Sequence, residues 1–204
     1  MKLKVNEVEK QIRSTNKPNS IVPGDLPKKL VQCCPHTLAI SATVIFNRIS
    51  QTAQYPDRWK LEQKIAIPNV SQPQCEDDHQ NIAKTPFLSK IYEYFLAQWL
   101  LNVIKPYIDP GQCGLKGLSI THYLIKLLHF VHSTLDTRNP QAVMAACIDV
   151  GKGFNRVDHQ IVIQDLYDMK TPSWLLSILI SYLSNRSMVM TYEGVMSSQK
   201  LLPA

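Results

Sequence analysis

An apolar run that ends in a carboxylate is the feature of this sequence with the clearest chemical potential. Residues 142–148 read AVMAACI, and Asp149 follows them. Such a run predicts a buried strand that brings the Asp149 carboxylate to its open end, where it can hold a divalent metal ion. Gly151 and Gly153 leave room for a phosphate-bearing ligand to approach the backbone. Two-metal phosphoryl transfer needs a carboxylate in such a position, although Asp149 could equally cap the turn that follows it.

Three basic residues are candidates for contacts to the phosphates of a polynucleotide. Lys64 lies in a segment, 62–68, whose residues alternate enough to form a strand. Lys116 lies in a glycine-flanked loop, and Arg156 follows the acidic motif. Cations in such places can meet backbone phosphates. An ordinary solvated surface position is the alternative for each of them.

Five sequence blocks, in order, resemble blocks of the reverse transcriptases of non-LTR (LINE-like) retrotransposons. The stretch IDVGKGFNRVDH resembles the first catalytic motif of that family, which commonly reads IDFSKAFDRVDH. The other blocks resemble the family's entry into the fingers, a helix, a glycine loop and a later helix that leads into a strand. They are YPDRWK with KIAIP (55–60 and 64–68), TPFLSKIYE (85–93), GQCGLKG (111–117), and WLL with SYLSNR (174–176 and 181–186).

The resemblance implies an RNA-directed DNA polymerase that extends a DNA primer on an RNA template, using deoxynucleoside triphosphates and Mg²⁺. It makes Asp149 the catalytic metal ligand, with the Val150 carbonyl as a second oxygen and Gly151 in the same nucleotide-binding turn. Phe154 corresponds to the aromatic gate that excludes a ribose 2′-hydroxyl. A core aromatic that anchors the turn is the alternative for Phe154.

The sequence also departs from the family pattern. Asn69 and Gln80 stand where the family usually carries a Lys and an Arg that steady the incoming triphosphate. In the family, the segment after Pro203 continues into a PQG motif and a paired-Asp motif, whereas this sequence stops at Ala204. We therefore expect one of three catalytic carboxylates here, no Mg²⁺ bound by this chain alone, and no polymerase activity from it.

The elements that must position these residues predict an α+β fold. The resemblance implies that they form mainly helical fingers and an incomplete palm of a right-hand polymerase. Loops are predicted at 15–28 and 69–80, and Asp158 is predicted to cap a helix. A further helix is predicted to start at Thr171-Pro172, with Thr171 as its N-cap. The other predicted helices are 3–14, 35–52, 87–104, 119–136 and 159–169, and the predicted strands are 62–68, 142–149, 187–193 and 197–202.

The interpretation as part of a polymerase divides the chain into three regions. They are an N-terminal helix and linker (1–20), a fingers-like region (21–118) and a partial palm with the first catalytic motif (119–204). The missing palm strands would leave an apolar face exposed near Cys147, Ile148 and the hairpin at 187–202. We expect self-association through that face.

The composition of the 204-residue chain suits a folded protein that meets a polyanion. Its hydrophobic content of 45% excludes wholesale disorder, and its net charge of +6 favours a nucleic-acid partner. Five cysteines, an odd number that includes the adjacent Cys33 and Cys34, argue against a disulfide framework. With no signal peptide and no apolar run of membrane-spanning length, we expect an intracellular protein of the cytoplasm or nucleus that is not secreted.

Two other classes of function stay open from the sequence. One is a nucleic-acid-binding module derived from the same domain that has lost its chemistry, which would bind RNA in a salt-dependent way without turnover. The other is an unrelated helical interaction protein, which would not bind RNA. Hydrolysis by a serine or cysteine nucleophile has no support, because the sequence has no GxSxG motif and neither Cys33 nor Cys34 lies in a recognisable nucleophile context.

Overall fold

Helices and a small mixed sheet make up the regular structure of the described residues. A computed structural model describes residues 2–15, 25–75, 78–112, 114, 119–139, 142–148, 150, 153, 157–192 and 194–202. The fold class is mixed α+β. The helices are α1 (Val5–Ser14), α2 (Lys28–Cys33), α3 (Pro35–Thr52), α4 (Phe87–Ile104), α5 (Ile120–Leu135), α6 (His159–Asp168) and α7 (Ser173–Leu183). The strands are β1 (Leu61–Pro68), β2 (His79–Lys84), β3 (Ser187–Tyr192), β4 (Val195–Met196) and β5 (Lys200–Leu201).

The chain divides into two compact units. One comprises Met1–Val103 and Asp158–Ala204, and the other comprises Ile104–Val157. The first unit contains the whole sheet and all the helices except α5 and the last residue of α4. The functional division of the chain at 20 and 118 stays a prediction.

Aromatic side chains form the centre of the buried core in the first unit. α3 buries residues at helical spacing, including Ala39, Ala42 and Phe46. The Phe46 ring lies 5.1 Å from the ring of Tyr92 on α4 and 6.1 Å from that of Trp59, measured between centroids. Trp59 lies two residues before β1, so this cluster connects the helices to the start of the sheet.

The sheet joins distant parts of the sequence. Its order is β2-β1-β3-β4, and β5 also pairs with β3. β1 pairs antiparallel with β2 and parallel with β3, which places Lys64 between Ala83 and Met190. The hairpin from β3 to β4 turns through Gly194, whose φ of 81° favours glycine. The pairing register then shifts by one residue between β4 and β5, which indicates a bulge in 197–199.

Several predicted elements are confirmed. α3 and α4 have the predicted bounds of 35–52 and 87–104, and β1 extends the predicted strand 62–68 by one residue. Asp158 caps α6 as predicted, because its Oδ1 accepts hydrogen bonds from the backbone nitrogens of Gln160 at 2.8 Å and Ile161 at 3.3 Å.

Three predictions of local structure are wrong. Residues 142–148 form no strand, because an apolar run becomes a strand only where a partner supplies backbone hydrogen bonds, and none of the described strands pairs with it. The predicted loop 69–80 ends early because β2 begins at His79, where polar residues gain a partner in β1. Pro172, not Thr171, is the N-cap residue of α7, so Thr171 caps nothing there.

Candidate nucleic-acid interface

Only two of the predicted site residues lie in the described part of the chain, Lys64 and Val150. Val150 belongs to the smaller unit and is exposed. Asp149, Gly151, Phe154, Lys116 and Arg156 lie outside the described residues. Their predicted roles as metal ligand, nucleotide contacts and phosphate contacts therefore stay predictions.

Lys64 lies in the middle of β1 and is half-buried. Because successive side chains of a strand point to opposite faces, Lys64 shares a face of the sheet with Glu62 and Ala66. The register adds residues of the neighbouring strands to this surface, which we call the Lys64 face. They are His79, Asn81 and Ala83 of β2, Met188, Met190 and Tyr192 of β3, Val195 of β4 and Lys200 of β5.

The charges on the Lys64 face are predominantly positive. Lys64 and Lys200 lie on it, and no ion pair involves either of them among the described residues. Among the described strand residues of this face, Glu62 is the acidic one, and its charge is neutralised by an ion pair with Arg186. The face therefore suits an anionic partner.

A buried ion pair holds the base of this face. Arg186 Nε donates to Glu62 Oε1 at 2.9 Å, and a second guanidinium nitrogen donates to the same oxygen. The guanidinium also lies 4.7 Å above the centre of the Tyr182 ring and donates to the Tyr182 carbonyl at 3.2 Å. Burial alone would lower the pKa of Arg186, but the neighbouring Tyr182 and Glu62 side chains outweigh it and raise the pKa.

A second buried polar cluster lies where the segment that follows α3 meets α4 and α7. The Tyr55 hydroxyl is hydrogen-bonded to Ser89 Oγ at 2.8 Å, and Ser89 Oγ donates to Glu93 Oε1 at 2.6 Å. The backbone nitrogen of Tyr55 donates to Ser181 Oγ at 2.9 Å. Burial, together with the nearby Glu93 carboxylate, raises the pKa of Tyr55 well above its usual range, so the phenol stays protonated and can donate.

Sequence reasoning missed this polar core, although its members lie inside the blocks that carry the resemblance. Ser89 gives the signal that could have found it. Ser89 lies three residues before Tyr92 and seven before Leu96, so helical spacing places it on the buried side of α4. A buried hydroxyl requires a hydrogen-bond partner, so its position indicates that other polar residues are buried next to it.

The residues that depart from the family pattern lie on or beside β2. Gln80 is exposed on β2, opposite Ile67 of β1. Asn69 follows β1, and its backbone nitrogen donates to the Asp78 carbonyl at 2.8 Å. Both side chains are neutral, so neither position supplies a cation for a triphosphate.

Metal binding at Asp149 stays a prediction because that residue lies outside the described part of the chain. Within that part, no three or more His, Cys, Asp or Glu side chains come together as potential metal ligands. The fit of Mg²⁺ to its predicted ligand therefore rests on the resemblance.

Large apolar side chains are exposed in both units. In the smaller unit, Met144 and Ile148 are more than nine-tenths exposed, and Cys147 is exposed as well. In the larger unit, Val195 and Leu201 of the hairpin region are about three-quarters exposed. Self-association through such residues stays a prediction.

No protein-family model and no curated protein matches this chain. Among the described residues, no helix is both long enough and apolar enough to cross a membrane.

Proposed function

We propose that this chain is part of an RNA-directed DNA polymerase of the non-LTR retrotransposon class, with the fingers and the first part of the palm. In this proposal the Lys64 face contacts nucleic acid, and the helices of the larger unit hold that face in place. The proposal rests on the resemblance of five blocks and on one structural observation.

That observation is the way in which three of the blocks contact one another. The YPDRWK block supplies Tyr55, the TPFLSKIYE block supplies Ser89 and Glu93, and the SYLSNR block supplies Ser181. Hydrogen bonds join Tyr55 to Ser89, 34 residues away, and to Ser181, 126 residues away. If each block resembled the family only by chance, there would be no reason for these residues to contact one another in one buried cluster. Their contacts therefore support a common origin for the blocks.

In the proposed enzyme class, two Mg²⁺ ions stabilise the charge that develops on the transferred phosphoryl group. The resemblance assigns Asp149 and the Val150 carbonyl to metal binding and Phe154 to the exclusion of ribose. Lys64, Lys116 and Arg156 would contact phosphates of the RNA template, the DNA primer or the deoxynucleoside triphosphate. Asn69 and Gln80 add no positive charge to that triphosphate site.

Binding of a primed RNA template by the 204-residue polypeptide tests the proposal. Fluorescence anisotropy at rising salt should show binding that weakens steeply, because phosphate contacts release counterions. Absence of binding even at low salt would contradict the proposal and favour a helical interaction protein.

Primer extension with Mg²⁺ or Mn²⁺ separates an active polymerase from a binding module. These 204 residues contain one of the three carboxylates that the resemblance requires, so we expect binding without DNA synthesis from this polypeptide. Template-dependent incorporation that disappears in Asp149→Ala would show that the polypeptide is itself catalytic.

A further inference from the structure

Two aromatic rings, those of His79 and Tyr192, lie on the Lys64 face, and the proposed function assigns no role to them. The Tyr192 ring lies 6.0 Å from the ring of His79, between centroids, at an interplanar angle of 79°. His79 is on β2 and Tyr192 is on β3, so the two rings approach each other across β1. Thr191 is the last residue of β3 that pairs with β1, where it lies opposite Ile65. β1 then continues with Ala66, whose small side chain leaves room for this approach.

An apolar cavity has Tyr192 among the residues that line it. Its volume is about 350 Å³, and it opens to solvent. The residues that line it are Met190, Tyr192, Val195, Met196 and Ser197. A cavity of this size is at the small end of the range for ligand sites, and an exposed aromatic beside it offers a flat ring a surface to stack on.

Cations lie close to this cavity on the same face. Lys64 is directly opposite Met190, and Lys200 is opposite Met188. The strand spacings place the Cα atoms of Lys64 and Tyr192 roughly 8 Å apart. Because Arg186 already neutralises Glu62, the net charge of the described strand residues on this face is positive. Proteins that bind single-stranded nucleic acid combine cations, which contact the phosphates, with an aromatic ring on which a base stacks.

We propose that the Lys64 face binds single-stranded RNA by stacking a base on Tyr192, beside the cavity, while Lys64 and Lys200 contact the backbone phosphates. This inference rests on the proposed function, which supplies RNA as the partner, and it adds the mode of binding and the residue that contacts a base. A duplex cannot bind in the same way because its bases are already stacked inside the helix.

Anisotropy of a labelled 12-residue oligouridine at several salt concentrations tests this mode with three variants. Tyr192→Leu keeps the apolar bulk and removes the ring, whereas Tyr192→Phe keeps the ring. Tyr167→Leu is the matched control, since Tyr167 is an exposed tyrosine on α6. Thermal unfolding of each variant verifies that the fold is retained.

Tyr192→Leu should weaken binding about 5- to 150-fold, the range for loss of one base–aromatic stack. The slope of affinity against salt should not change, because no phosphate contact is removed. Tyr192→Phe and Tyr167→Leu should bind like the unaltered chain, and duplex RNA should compete poorly with the single strand.

Each other outcome overturns the stacking proposal in a recognisable way. If the unaltered chain binds RNA and Tyr192→Leu matches Tyr167→Leu, stacking is wrong while the proposed function stands. Equal competition by duplex RNA has the same meaning. If Tyr192→Leu dissociates a dimer without changing RNA binding, the face binds a second copy of the chain. If the unaltered chain binds no RNA at any salt concentration, both proposals fail.

Discussion

Arg186 and Glu62 lie 124 residues apart in the sequence and form a buried ion pair through two nitrogens of the guanidinium. Their side chains are 7% and 14% exposed. The pair joins the residue before β3 to the second residue of β1, and these two strands lie in parallel beside each other. Asn185, whose φ of 54° suits an asparagine, turns the chain just before Arg186.

Loss of this cation should destabilise the fold strongly. Arg186→Met leaves the Glu62 carboxylate buried without its partner, which should lower the free energy of unfolding by about 3–5 kcal/mol. Urea unfolding measures the change. The control is Arg13→Met, which removes an exposed ion pair to Glu9 on α1 and should change the free energy of unfolding little. Equal losses in the two variants would show that the Arg186 pair does not stabilise the sheet.

The Ser89 hydroxyl should contribute measurably to the stability of the fold. Ser89 is fully buried and connects Tyr55 to Glu93. Ser89→Ala should cost about 1–3 kcal/mol of stability, because it leaves buried polar groups short of a partner. The control Ser14→Ala removes an exposed hydroxyl at the end of α1 and should change little. A Ser89→Ala variant as stable as the control would mean that the cluster tolerates the loss.

α3 and α4 could be predicted from the sequence because each has a periodic apolar face, whereas the six-residue α2 is not predicted. Phe46 in α3 and Tyr92 in α4 belong to such faces, and both helices have the predicted bounds. β2 could not be predicted in this way. Its polar sequence HQNIAK becomes a strand through its pairing with β1, which local pattern does not reveal.

The predicted strand at 142–148 is wrong for the opposite reason: β2 is polar and has a partner strand, whereas 142–148 is apolar and pairs with none of the described strands. Its apolar composition suits a buried strand, yet a strand depends on a partner, and Met144 in this stretch is 96% exposed. Of the candidate site, Lys64 could be placed on a strand from the sequence alone. Its neighbours Tyr192 and Lys200 could not, because the register between β1, β3 and β5 emerges only from the folded chain.

One backbone position offers a stabilising substitution. Ala53 ends α3 in the left-handed conformation, with φ of 53°, which costs an L-residue more than glycine. Ala53→Gly should therefore raise the free energy of unfolding by roughly 0.5–1 kcal/mol. Ala97→Gly, on the exposed side of α4, should lower it by about 1 kcal/mol, since glycine is unfavourable within a helix. Thermal and urea unfolding of both variants would reveal whether the signs are opposite.

Acid should weaken the attachment of α1 to α3. Hydrogen bonds from His36, at 2.7 Å, and from Arg13 lower the pKa of Glu9 below its usual range. A carboxyl with a lowered pKa stabilises the fold above the ordinary glutamate pKa of about 4.3, and this contribution is lost as the pH falls through the lowered value. Glu9→Gln should thus have a lower melting temperature than the unaltered chain at pH 7 and approach it near pH 3. A difference that stays constant over this range would contradict the role of Glu9.

The salt dependence of RNA binding by Lys64→Ala tests the central claim most directly. If Lys64 contacts a phosphate, its loss should lower the magnitude of the slope of log affinity against log salt by about 0.7, the value for one contact on a single strand. The matched control is Lys10→Ala, which removes the same charge from an exposed position on α1 and should keep the full slope. The account predicts a reduced slope for Lys64→Ala alone. Identical slopes for the unaltered chain and both variants would contradict it.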